Sequence, residues 1–137
     1  MKNEKTDWFN YRSRVSKYFT VGEVTQCDSR RIPKDWLTKR RIKRFAKELD
    51  KLREKYDCPI SINSWYRPRV INRLVGGVED SQHIHGWAAD VNFITNLHDK
   101  IKIEQDLVKT WNGGIGIGAA RKGFTHIDLG PRRRWSY

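Results

Sequence analysis

Imidazoles and carboxylates able to bind a divalent cation cluster in two short segments, Ser81-Gln82-His83-Ile84-His85-Gly86-Trp87-Ala88-Ala89-Asp90 and Phe124-Thr125-His126-Ile127-Asp128. Imidazole nitrogen and carboxylate oxygen are donors that zinc accepts. Three protein ligands leave the fourth tetrahedral position to water, which is how hydrolytic zinc sites are built. His83, Asp90 and His126 are the candidate ligands. Gly86 and the small pair Ala88-Ala89 let the backbone between the first two turn tightly and approach an ion closely. His85 is the competing donor, because on an extended segment it would share a face with His83. His98, next to Asp99 at a polar helix start, is expected at the surface.

Whatever holds these donors must be built from the rest of the chain. Between Asp35 and Tyr56 the apolar positions Ile42, Phe45, Ala46, Leu49, Leu52 and Tyr56 recur every three or four residues. This spacing predicts an amphipathic helix with lysines and arginines on its other face. Asp57-Cys58-Pro59 ends it. Ile60 to Ser64 alternates as a short strand, and Val70 to Val75 reads as a short helix stopped by Gly76-Gly77. Ala88 to Phe93 reads as a central strand that delivers Asp90, and His98 to Trp111 as a second long helix. Gly113 to Gly118 and Phe124 to Leu129 read as strands joined by a basic turn. Along the last strand the period of two puts Phe124, His126 and Asp128 on one face, so His126 and Asp128 are expected to share a cleft. Long helices with a small, mainly antiparallel sheet predict the α+β class.

A chain of 137 residues can bury one modest core. The expected organisation is a single domain over residues 18–137, preceded by a peripheral arm, residues 1–17, packing through Trp8 and Phe9. The polar start, Met1 to Asp7, lacks the apolar run of a secretory signal, and no stretch reaches the length of a membrane span. Synthesis in the cytoplasm without membrane insertion is therefore expected. Cys27 and Cys58 lack zinc-knuckle spacing and are too few for a disulfide framework, so both are expected as free thiols. The net charge of +12 implies a polyanionic partner: nucleic acid, anionic membrane or bacterial-wall polymer. The runs Lys39-Arg40-Arg41, Lys43-Arg44 and Arg132-Arg133-Arg134 lie in no helix-turn-helix, finger or RNA-binding signature. A basic face suited to anionic cell-wall polymers is expected ahead of a nucleic-acid site.

Several segments carry a family likeness: Ser-x-His-x-x-Gly-x-Ala-x-Asp over Ser81 to Asp90, Phe19-Thr20-Val21-Gly22-Glu23-Val24, Ser64-Trp65-Tyr66-Arg67-Pro68, Asn72 with Gly76-Gly77, and His126-Ile127-Asp128. Together they resemble the zinc D-alanyl-D-alanine carboxypeptidases and the related hedgehog-like peptidoglycan peptidases, which include phage endolysins and murein endopeptidases. The likeness runs from Tyr18 to Trp135. It implies the α+β fold of that family and one zinc ion held by His83, Asp90 and His126, with His83 favoured over His85 by its place relative to Gly86 and Asp90. It also implies an Arg67 that reaches into the cleft to bind substrate carboxylate or carbonyl oxygen and the developing oxyanion, with Ser81 and Gln82 adding hydrogen bonds to the peptide. Many relatives carry an acid three residues before the last histidine, where this chain has Gly123. Others read Phe-x-His-x-Asp, as Phe124 to Asp128 do, which makes Asp128 either the general base or the acceptor that orients a ligating histidine. The implied activity is zinc-dependent hydrolysis of an amide bond in peptidoglycan stem peptides or cross-links, by a monomer of the kind released to the wall during phage lysis. Gly123 keeps a second reading alive, that of a non-catalytic zinc-containing wall-binding or structural phage protein.

Overall fold

A computed structural model describes residues 5–137, so the first four residues of the expected N-terminal arm lie outside the described residues. In the segment that follows, a tight turn donates the Phe9 and Asn10 amides to Asp7. It sends Trp8 into the core and leaves Phe9 85% exposed, so Trp8 and Val15 anchor the arm and Phe9 does not. Thr20 opens a short helix, Val21–Thr25 (α1). Its hydroxyl accepts from the Glu23 amide while the Glu23 carboxylate accepts from the Thr20 amide, a reciprocal cap. Asp35 caps the long helix Trp36–Lys55 (α2) by accepting from the Thr38 amide. Ile42, Phe45, Ala46, Leu49 and Leu52 of the predicted stripe are buried. Asp50, buried on the same helix, accepts from the Ser16 hydroxyl and from the Lys17 and Tyr18 amides, which ties the arm to α2.

The remaining elements are Ile60–Ser64 (β1), Arg69–Leu74 (α3), Ala88–Phe93 (β2), Leu97–Thr110 (α4), Gly114–Ile117 (β3), Thr125–Asp128 (β4) and Arg133–Ser136 (β5). They form one five-stranded sheet in the order β1-β2-β4-β3-β5, antiparallel except for the parallel pairing of β5 with β3. With its flanking helices this is the α+β architecture expected. Trp65 is fully buried, with Phe19 and Phe45 edge-on at 5.9 and 5.5 Å, so the approach to α1, α2 and the end of β1 share one core. Cys27 is exposed and Cys58 buried, and both are free. Among the described residues no helix is long and apolar enough to cross a membrane.

Two elements escape periodicity. α1 is too short to show a helical repeat. β5 is hidden in the run Arg132-Arg133-Arg134, because an edge strand needs no apolar alternation and its charges discourage further pairing.

Candidate metal centre

β2 and β4 are neighbours, and in their register Asp90 is the direct partner of His126. This pairing brings two of the three candidate ligands together. His83 arrives on the 3₁₀ turn Gln82–His85, capped by the Ser81 hydroxyl and ended by Gly86 at φ +85°. A side chain at Gly86 would suffer both from that conformation and from Ile42 of α2, whose Cγ1 would lie 2.8 Å from the added Cβ. Trp65 locks the turn from the other side, its indole N–H donating to the Gly86 carbonyl at 2.8 Å.

The hydrogen bonds select which nitrogen each ring offers. Nδ1 of His83 lies 2.6 Å from the Trp65 carbonyl, which can only accept, so Nδ1 carries the proton and Nε2 is the free donor, 3.4 Å from an Asp90 oxygen. In His126 the roles reverse. Nε2 sits 2.8 Å from Asp128 Oδ2, and Nδ1 faces Asp90 at 2.9 Å. One donor atom from each of His83, Asp90 and His126 lies within 4.8 Å of the others. Bonds of about 2.0–2.2 Å in a tetrahedron separate neighbouring donors by roughly 3.3–3.6 Å, so this set fits zinc with little adjustment. Fixing the second ring nitrogen on a carbonyl or carboxylate is also the usual support for a ligating histidine.

Burial alone would raise the Asp90 carboxyl, but the close approach of the His126 and His83 rings more than offsets it and holds Asp90 well below the usual carboxylate range. Burial would likewise lower His126, yet Asp128 and Asp90 on its two nitrogens leave it raised. Without metal, His126 therefore contributes stability below its unfolded value, about 6.5, that is lost as pH rises through the raised folded value. Zinc requires a proton-free Nδ1. The melting-temperature gain from zinc over chelator-treated protein should accordingly grow as pH rises through that range. A zinc shift independent of pH would contradict the assignment of His126 as a ligand.

Asp128 lies on the strand face that the period of two gives it, but not in the open cleft. Although it shares that face with His126, it is 0% exposed. Its Oδ1 accepts from the Gly114 and Gly130 amides and from Arg133 Nη1, at 3.2, 2.9 and 3.0 Å. Its Oδ2 meets His126 and Arg133 Nη2, the latter at 2.9 Å. Burial pushes this carboxyl up, but His126 and Arg133 bring it down to about 2. The cause is close packing from the adjacent strand β3, where Gly114 is its direct partner: a Cβ at Gly114 would stand 2.6 Å from Asp128 Oδ1. The Gly113-Gly114 pair was the available signal that something buried presses there.

His83, Asp90 and His126 open onto a cleft of about 500 Å³, whose wall also carries Arg67, Ser81 and Gln82. The Arg67 amide donates to the His83 carbonyl at 3.1 Å, and its guanidinium reaches Ser81 Oγ at 3.4 Å while the buried Nε has no partner. Burial lowers the Arg67 pKa, with Asp90 opposing that shift. Gln82 accepts from the Trp87 indole at 2.7 Å. His85 stands outside the ligand set, its ring 6.2 Å from Trp87, and the His98 side chain is 75% exposed. Asp80, Arg133 and Tyr137, not anticipated there, also line the cleft, as does Trp135. Arg133 and Trp135 arrive on β5, the strand concealed by its basic composition.

A family model described as Peptidase M15 matches residues 17–128. A search of curated proteins finds no match.

Proposed function

Since the chain belongs to the peptidase M15 family and is on that ground a zinc metallopeptidase, we propose that it hydrolyses an amide bond in bacterial peptidoglycan stem peptides or cross-links. The observation that carries this reading is the convergence of His83, Asp90 and His126 on one cleft that also holds an arginine with an unpartnered, buried nitrogen. Zinc held by those three residues supplies Lewis acidity toward a scissile carbonyl and makes water more acidic. The protein's own groups do the rest. The Trp65 carbonyl and Asp128 fix the tautomers of His83 and His126, so each ring presents its lone pair to the cleft. The Arg67 guanidinium binds the carbonyl or carboxylate oxygen of the peptide and the charge that develops on it, and Ser81 and Gln82 orient the chain beside it. Of the two roles open to Asp128, positioning of His126 suits its burial. Asp80 is then the remaining carboxylate on the cleft wall, and we assign proton transfer to it. The net charge of +12 supports action on a polyanionic wall, and we place the protein there as a monomeric lysis enzyme of phage type.

Purified peptidoglycan incubated with the zinc-loaded protein, followed by mass spectrometry of the muropeptides, tests the reading. New amine and carboxyl termini should appear, vanish with chelator and return with zinc. Muropeptides left intact by a zinc-loaded, folded protein would instead favour the non-catalytic wall-binding alternative that Gly123 suggests.

A further inference from the structure

A second and larger cavity, about 700 Å³, lies between α2 and α4. It adjoins the catalytic cleft: Gln82 lines the cleft, Trp87 lines the second cavity, and the 2.7 Å hydrogen bond between them forms the shared wall. Gly130 completes that wall, and a Cβ there would sit 2.9 Å from Gln82 Cδ. The floor is apolar, made by Trp87, Trp111, Leu107 and Leu52. Arg41 sits over the Trp87 ring at 4.8 Å, which fixes the indole in place.

The rim is polar, and two of its four cations are already ion-paired. Lys51 pairs with Glu48 at 3.1 Å and Lys55 with Asp106 at 3.0 Å. Arg132 donates to the Trp111 and Lys109 carbonyls at 2.7 and 3.4 Å. Arg44 and Asn112 are exposed on the rim and make no side-chain hydrogen bond or ion pair among the described residues. A polyphosphate would call for a row of unpaired cations. Indoles and leucines beneath a ring of paired charges and free donors suit a ligand with flat apolar faces edged by hydroxyl and amide groups, which describes an amino sugar.

We infer that this cavity binds the amino-sugar glycan to which the scissile peptide is attached, so that glycan-linked stem peptides are taken in preference to free ones. The inference rests on the peptidoglycan reading above and adds the substrate's second half. A sugar in the cavity and its peptide in the cleft would be held across one shared wall, and each would lower the entropic cost of placing the other.

The test compares kcat/KM for one stem peptide, free and attached to its amino-sugar disaccharide, and follows indole and amide signals by NMR when the disaccharide alone is added. The attached form should be favoured at least about tenfold, and the double variant Arg44→Ala, Asn112→Ala should bring that ratio close to unity. The disaccharide should shift the Trp87 and Trp111 indole signals. Equal kcat/KM for both substrates would overturn the inference while leaving the peptidase reading intact. If neither substrate is cut, the peptidase reading fails, and the NMR arm still decides: no indole shift refutes the sugar site. Indole shifts produced instead by an oligonucleotide, with none from the disaccharide, would also refute it.

Discussion

Asp90→Ala should purify without zinc and without peptidase activity, yet remain folded. Asp90 is the central donor, within hydrogen-bond or ion-pair distance of both His126 and His83, and its removal leaves two imidazoles facing a gap. Groups that only orient a zinc ligand are worth roughly 10–100-fold in affinity, so loss of a ligand itself should exceed about a hundredfold. Competition with a chromophoric chelator measures this directly. The pairing of β2 with β4 is made by backbone groups, so circular dichroism should show the sheet preserved. His126→Ala should behave the same way, and His98→Ala, at an exposed position, should keep one equivalent of zinc. Full zinc in Asp90→Ala, or its loss in His85→Ala, would move the ligand set.

Asp128→Asn is expected to fail by another route. The carboxylate is fully buried among five donors, and the amide cannot satisfy Arg133 and His126 together. The Arg133 side chain is 41% exposed, so the pair is only half buried, and leaving buried donors unsatisfied around the amide costs about 1–3 kcal/mol. The melting temperature should therefore drop, and zinc affinity should fall by about 10–100-fold because His126 is no longer held in the tautomer that frees Nδ1. Asp80→Asn supplies the contrast: zinc retained, turnover reduced by about a hundredfold or more. A stable Asp128→Asn protein with normal zinc affinity and no turnover would return the general-base role to Asp128.

Much of the fold was legible because its two long helices and its central strands obey simple periods. The apolar stripe of α2 is buried as its spacing requires, with Tyr56 at the cap only partly covered. His83, Asp90 and His126 were legible as donors, but their convergence was not a matter of spacing. It depends on the cross-strand register of Asp90 with His126 and on a 3₁₀ turn pressed against Ile42, both long-range facts. Asp128 shows where alternation misleads. Period two assigns a side chain to a face and says nothing of what lies above that face, and here β5 folds Arg133 over it. Arg133 as a cleft residue was hidden for the same reason, since a strand of arginines at a sheet edge reads as a solvated charge run.

Pairing Asp90 with His126 across adjacent strands also separates the metal geometry from the length of the chain between them. Strands in a sheet stand about 4.7–4.9 Å apart whatever connects them, so the distance between these donors is a property of the ladder. The connection between β2 and α4 within the intervening segment is free to lengthen or shorten at little energetic cost while the donors stay put, whereas Leu107, Trp111 and Ile115 are packed in the core and Gly114 against Asp128. His83 has no such insulation, because its turn depends on contacts from Trp65 and α2 and follows the Gly76–Asp80 loop on the cleft wall. Within this architecture, diversification of substrate range has an obvious place to happen. Changes at positions such as Val78, which lines the cleft ahead of Asp80, reshape it beside a fixed pair of donors, so new specificities can be sampled while the donors and Asp80 are kept.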